Sequence, residues 1–267
     1  MLSFEVLSAV SSAGPGRTAN EDAAYADPRL ALVADGVGGA PAGQVASATS
    51  AHVICADLSS PFPPGEAAAR LRASLQRARA SLAVGQREDP ARRGMACTLS
   101  AVRLDGSRLV ILHLGDTRVH LVRDAMARRL TQDHTWVTEM LARGVLRPEQ
   151  AIGHPYRHVV TRSVAGAAGS SEPDVLVVDA RPGDHLLLTS DGVDLGGDHL
   201  ERVLRGRPAQ VARTLVREAR VRGSRDDATA VWLEVVDVAP TGGAGRLLGA
   251  ASDPRNVIGE VGAAMTG

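Results

Sequence analysis

Aromatic residues are scarce: Phe, Trp and Tyr together make up 2% of 267 residues. Stacking on nucleic-acid bases needs a row of aromatic faces, so that mode of binding is excluded. There is no excess of charge either. Thirty basic residues balance 30 acidic ones, which removes the broad attraction to a phosphate backbone. Cysteine is rare. Cys55 and Cys97 stand far apart in apolar contexts, so neither a metal-type pair nor a disulfide framework is present. Lysine is missing altogether, and every basic residue is Arg. No run approaches the ~18 apolar residues of a membrane span, and no basic-then-apolar leader opens the chain. These absences predict a cytoplasmic protein without a nucleic-acid or membrane partner.

What the chain has in quantity is small and aliphatic. Hydrophobic residues make up 44%, enough for a sizeable core built mainly from Ala, Val and Leu. Strand-like runs recur at 4–12, 29–35, 97–106, 108–116, 117–124, 174–180, 184–191 and 228–236. Some alternate apolar and polar residues; others are continuously apolar, as fully buried strands are. "LDGSRL" predicts a tight hairpin. "LGDTR" predicts a second short link, and so short a link makes its strands antiparallel neighbours. Helical signals are fewer. Residues 43–58 are Ala-rich, and 65–84 set Leu71, Leu75 and Leu82 at helical spacing. A third segment runs from Pro208 to near Gly223, a start and a stop signal. Two helices early, one late and antiparallel strands between them predict an α+β sandwich rather than a βαβ repeat. Residues 134–166, rich in His, Arg and Pro with one short helix, predict an inserted flap. From Ala239 the chain turns Gly- and Ala-rich, which predicts a flexible or loosely docked tail beyond the last strand.

Carboxylates end several of the apolar runs. Asp35 closes "RLALVAD", Asp191 closes "DHLLLTSD" and Asp116 closes "RLVILHLGD". Asp226 and Asp227 stand just before the last strand, and Glu21 and Asp22 follow the first. A nucleotide loop is a poor reading of "DGVGG", because G-x-G-x-x-G needs Gly where Pro41 stands. One Asp-Gly pair is more often a turn than a ligand. Several acids gathered at strand ends are different: they repel in a partly buried site and need a countercharge. An Arg supplies some of it, but an all-oxygen set suits hard cations, Mg²⁺ or Mn²⁺. The glycine after Asp35 and Asp191 would let the backbone approach such a cation, with the Gly36 carbonyl as a further ligand.

Eight motifs then occur in a telling order: "RTANED" (17–22), "LVADGVGG" (32–39), "MACTLSAV" (95–102), "HLGDTRVHLVRD" (113–124), "RRLTQDHTWV" (128–137), "HPYRHVVTRSVAG" (154–166), "LLLTSDGV" (186–193) and "GSRDDATAVWLEV" (223–235). Each is weak alone. Together they resemble the metal-dependent protein phosphatases, the type 2C serine/threonine family in its compact bacterial form, over roughly residues 4–238.

The resemblance implies a four-layer α-β-β-α sandwich, two mainly antiparallel sheets flanked by helices. It implies a catalytic domain over 1–238, with a flap near 134–166 and a tail over 239–267. A site for two Mn²⁺ or Mg²⁺ ions would lie at one edge of the sandwich. By position, Asp35 would bridge the metals, and the Gly36 carbonyl, Asp191 and Asp226 would complete the ligands. Glu21 and Asp22, with Asp227 beside Asp226, would stand one layer behind. Arg17 would bind the substrate phosphate, a task suited to a forked, permanently charged guanidinium. Asp116 would join Asp191 at a third, weaker metal site. Two such cations activate a water for in-line attack on phosphoserine or phosphothreonine, so no Cys or Ser nucleophile is needed. Cys55 and Cys97 are then core residues. The implied partners are phosphoproteins made by a bacterial serine/threonine kinase, and the implied state is a monomer.

The departures from the family pattern are specific. Val37 stands where many eukaryotic members have a His proposed as general acid, so the proton must come from water or another residue, with His154 in the flap one option. Asp227 replaces the usual Asn. Leu195 stands where an Asp is often found, with Asp194 one residue early, and His158 stands where some bacterial members have Ser. The last two changes bear on the third metal site. Two other readings stay open: a weakly active relative that serves as a regulatory binding module, and a phosphatase of a partner-switching anti-sigma antagonist.

Overall fold

The structure is a computed structural model, and it describes residues 1–166, 171–240 and 245–259, without the side chain of residue 198. The strands are β1 (Ser3–Ser12), β2 (Asp22–Ala26), β3 (Leu30–Asp35), β4 (Ala96–Cys97), β5 (Leu99–Asp105), β6 (Arg108–Leu114), β7 (Arg118–Arg123), β8 (Met126–Arg129), β9 (Val164–Ala165), β10 (Asp174–Asp179), β11 (His185–Thr189), β12 (Ala228–Val236) and β13 (Arg246–Gly249). The helices are α1 (Gly43–Leu58), α2 (Ala67–Glu88), α3 (Trp136–Ala142), α4 (Pro148–Ala151), α5 (Gly197–Leu204) and α6 (Val211–Val221).

Two large sheets carry the fold. One has the order β1-β12-β11-β7-β8, the other β10-β6-β5-β3-β2-β13, and a short β4-β9 pair stands apart. The strand pairs are antiparallel. Side-chain alternation sorts the layers. On β3, Leu30 and Leu32 face a core shared with α1 and α2, while Ala31 and Val33 face the other sheet. On β12, Val231, Leu233 and Val235 face between the sheets, and Ala230 and Trp232 face α6. The result is the expected four-layer α-β-β-α sandwich.

On α2, Leu71, Leu75, Ala78 and Leu82 form one fully buried stripe. Helix α1 is buried on nearly every side. Its Ala, Ser and Thr residues let it lie close to the sheet, α2 and the C-terminal segment together.

Three expectations are corrected. The "LGDTR" link does not join sheet neighbours: β6 lies in the six-stranded sheet and β7 in the five-stranded one. Both edges of β6 are already taken, by β10 and β5. Gly115, at φ +96°, turns the chain out of the sheet, and a Cβ there would lie 2.5 Å from Cβ of Thr98. The flap holds two short helices, α3 and α4, rather than one. The stretch after Ala239 is docked where it is described. β13 pairs with β2, His52 Nε2 lies 2.9 Å from the Ala251 carbonyl oxygen, and Ile258 is buried against Gly85 and Met95. Apolar Leu248, Ala250, Ala251 and Ile258 hide inside a Gly-rich composition that reads as linker. Residues 241–244 and 260–267 of that tail lie outside the described residues.

Candidate active site

Strand register sets the site. Asp22 and Asp35 are cross-strand partners at the ends of β2 and β3. By the two-residue period, Asp35 follows Ala31 and Val33 toward the space between the sheets, and Asp22 follows Ala24 and Ala26. Asp191 comes two residues after β11, and Asp226 two residues before β12, the strand paired with it. Asp116 rides on the β6–β7 crossover. One end of the sandwich therefore collects acids from both sheets.

A cavity of about 250 Å³ opens there, lined by Arg17, Asp35, Gly36, Val37, Gly38, Thr98, Asp116, His158, Val160, Asp191 and Asp226. Of the residues read from sequence as ligands or phosphate binder, all six line it: Arg17, Asp35, Gly36, Asp116, Asp191 and Asp226. Glu21, Asp22 and Asp227 stand behind the lining.

Those three have distinct partners. Asp22 is fully buried, and its Oδ2 accepts from Ser190 Oγ and Thr229 Oγ1, each at 2.7 Å. Asp227, also buried, accepts from the Gly14 amide at 2.8 Å and the Glu21 amide at 2.7 Å, with Arg17 at 3.4 Å. Arg17 is further paired with Asp226 and with Glu21 at 3.4 Å. The resemblance implies Asp226 as the ligand, with Asp227 one layer behind. The structure sends Asp226 to the cavity and Asp227 to the loop.

Burial, reinforced by crowding of like charges, sets the electrostatics. Burial, then the neighbouring carboxylates Asp22, Asp191, Asp116 and Asp226, push Asp35 well above the usual range. Burial, then Asp191 and Asp133, raise Asp116 to about 7. Asp22 also rises to about 7, chiefly through burial. Asp191 moves the other way. Burial would raise it, but the hydrogen bond and charge of His158, joined by Arg118 and Asp35, together lower it. His158 Nδ1 lies 3.4 Å from Asp191 Oδ2.

This donor set fits hard divalent cations. Four carboxylates face one small cavity whose lining includes the basic side chains Arg17 and His158, with Arg118 behind Asp116 and Asp191. Asp191 Oδ1 and Asp22 Oδ1 are buried without a hydrogen-bond partner, which costs free energy unless something positive engages them. Among the described residues no three His, Cys, Asp or Glu side chains stand at the spacing of a closed coordination sphere. Asp226 and Asp191 are drawn instead to Arg17 and His158.

The glycines after Asp35 and Asp191 also serve the packing behind the site. A Cβ on Gly36 would lie 2.6 Å from Cα of Gly43, and one on Gly192 1.8 Å from the Asp227 carbonyl oxygen. Their bareness lets α1 and the Asp227 backbone pack behind the site.

His154 does not line the cavity. It stacks on Trp136 at 5.0 Å. Asp194 pairs outward with Arg118 at 2.7 Å, and Leu195 is buried against the α5–α6 layer. Cys55 and Cys97 are buried free thiols pushed up to about 12 by burial. That excludes a thiolate nucleophile at neutral pH.

Sequence reading passed over two wall residues and a supporting network. Thr98 and Val160 line the cavity. Behind Asp116, the Gly115 amide donates to His134 Nδ1 at 3.1 Å, and His134 Nε2 meets Asp174 at 3.1 Å. Arg162 of the flap also holds Asp174, at 3.0 Å. These contacts join β6, β10 and the flap, so no local pattern could reveal them.

Known proteins resemble this chain in sequence and in fold. Residues 17–234 match the family described as protein phosphatase 2C. The chain is 36% identical over 230 residues to the serine/threonine protein phosphatase PstP of Mycobacterium tuberculosis, covering 85% of this chain and 44% of that protein. The chain thus spans less than half the length of that curated relative. It is 29% identical to the serine/threonine phosphatase stp of Listeria monocytogenes, covering 77% of this chain and 84% of that one. The crystal structure of M. tuberculosis PstP/Ppp superposes with a TM-score of 0.79 at 33% identity, over 88% of this chain and 99% of that one. The PstP catalytic domain in complex with two manganese ions gives a TM-score of 0.78 at 34% identity, over 89% and 100%. The chain belongs to the protein phosphatase 2C family.

Proposed function

We propose that this chain is a metal-dependent protein phosphatase that hydrolyses phosphoserine and phosphothreonine. The observation that carries this reading is the convergence of Asp35, Asp116, Asp191, Asp226 and Arg17 on one cavity. Asp35, the Gly36 carbonyl, Asp191 and Asp226 would hold two Mn²⁺ or Mg²⁺ ions, with Asp116 and Asp191 at a third. Such ions supply Lewis acidity, a more acidic water and neutralisation of phosphoryl charge.

The chain's own side chains do the rest. Arg17 offers a planar fork to the phosphoryl oxygens from the cavity wall, and Asp227 anchors it through the loop. Glu21 and Asp22 set the electrostatic background behind Asp35. Val37 carries no proton and takes no part in proton transfer. The flap beside His158 and Val160 borders substrate access. Substrates are phosphoproteins made by a serine/threonine kinase, and the enzyme works as a cytoplasmic monomer.

The substrate class is tested with phosphoserine, phosphothreonine and phosphotyrosine peptides in Mn²⁺. The first two are cleaved and the third is spared. Preference for phosphotyrosine would overturn the assignment.

A further inference from the structure

Arg220 lies in the last turn of α6, outside the cavity lining. Its guanidinium spends its donors on backbone carbonyls. Nη2 donates to Ser12 at 3.0 Å and to Ala13 at 3.1 Å. Nη1 donates to Ser224 at 3.3 Å and to the carbonyl of Asp226. The first pair opens the loop that carries Arg17 and Glu21. The second pair brackets the loop that carries Asp226.

The same two loops are joined from the other side by Asp227, which accepts the Gly14 and Glu21 amides. Between them the backbones touch: a Cβ on Gly14 would lie 2.1 Å from the Arg225 carbonyl oxygen. So a cation gathers the carbonyls of this junction and an anion gathers its amides. Neither end is interchangeable. A Lys ammonium is a point charge on a flexible stem and cannot span four carbonyls as a planar fork does.

We propose that Arg220 is a positioning residue for the metal site. It fixes the Asp226 backbone, and so the direction of the Asp226 carboxylate, relative to Arg17. This rests on the metal-dependent reading above. Partners that orient a ligand without touching the metal typically change affinity about 10–100-fold when removed.

The test measures Mn²⁺ binding by calorimetry in the parent, Arg220→Gln, Arg220→Lys, Asp226→Asn and the double variant Arg220→Gln/Asp226→Asn. Thermal melts in EDTA run alongside. Arg220→Gln is expected to weaken Mn²⁺ binding about tenfold or more, with Arg220→Lys in between. In the Asp226→Asn background the Arg220→Gln effect should vanish, because both act through one carboxylate. Mn²⁺ affinity within twofold of the parent in Arg220→Lys and Arg220→Gln, whatever the melting temperature, would overturn the proposal and leave Arg220 a brace of the fold. So would full additivity in the double variant. If Arg220→Gln does not fold, Arg220→Lys alone decides. Absence of Mn²⁺ binding by the parent would instead sink the metal-dependent reading itself.

Discussion

Asp226 and Asp227 are adjacent in the chain and face different ways. Asp226 lines the cavity and pairs with Arg17, while Asp227 is buried and takes the amides of Gly14 and Glu21. Their substitutions should separate accordingly. Asp227→Ala strands the buried Gly14 amide and the half-buried Glu21 amide and should cost about 2–3 kcal/mol of stability. Asp226→Ala removes one of several crowded carboxylates, so the metal-free protein should melt no lower than the parent. Chemical denaturation in EDTA reads both. Equal losses would mean the two acids share one role.

Arg17→Ala should raise KM for a phosphorylated substrate about tenfold or more, the scale of one or two charge-assisted hydrogen bonds. Mn²⁺ affinity should stay the same or tighten, because Arg17 now competes for Asp226. Steady-state kinetics and calorimetry together check this. Loss of Mn²⁺ binding would show that Arg17 holds the metal site together.

The pH dependence has a definite sign. Asp22 and Asp116 titrate near 7 in the folded chain and near 4 when unfolded. Between those values the folded state keeps protons that the unfolded state has lost. Their contribution therefore makes the metal-free protein less stable as pH rises from about 4 to 7. Buried His113 and half-buried His120, both lowered to about 4 chiefly by desolvation, act oppositely between about 4 and 6.5. Total stability is thus a poor reporter. The increment that Mn²⁺ adds isolates the carboxylates, since the ion displaces their protons. The gain in melting temperature on adding Mn²⁺ should be larger at pH 7.5 than at pH 5.5. An equal gain would show that these acids do not take part.

Ile258→Ala should destabilise the protein by about 2–4 kcal/mol, as for other fully buried aliphatic truncations. Its side chain is 2% exposed and packs on Gly85 and Met95. Ending the chain at 238 should cost at least as much and bare the edge of β2 to association. Denaturation and light scattering test both. An unchanged melt in either would mean that the C-terminal segment is dispensable to the fold.

Sequence carried the site further than it carried the topology. Asp35, Asp191, Asp116 and Asp226 were legible because each ends or precedes an apolar run, a local pattern that strand geometry turns into a shared edge. The stripe Leu71, Leu75 and Leu82 was legible for the same reason. Asp22–Ala26 carries no strand signal in the sequence, because four of its five residues are small or acidic. It is a strand because β3 and β13 flank it. The β6–β7 link reads as a connection between sheet neighbours because its shortness is the only local signal there. The hydrogen bonds that turn it between sheets come from His134, far along the chain. Arg220 gave no signal, since its partners are backbone carbonyls that every sequence possesses.

The central claim is that these carboxylates form a metal-dependent phosphatase site. The most direct measurement is hydrolysis of p-nitrophenyl phosphate by purified protein across a Mn²⁺ titration, repeated in EDTA and with Asp35→Asn and Asp191→Asn. Turnover should rise with Mn²⁺, disappear in EDTA and fall at least about a hundredfold in Asp35→Asn, with Asp191→Asn also impaired. Turnover that persists in EDTA, or a folded parent protein with no activity at any Mn²⁺ concentration, would contradict it.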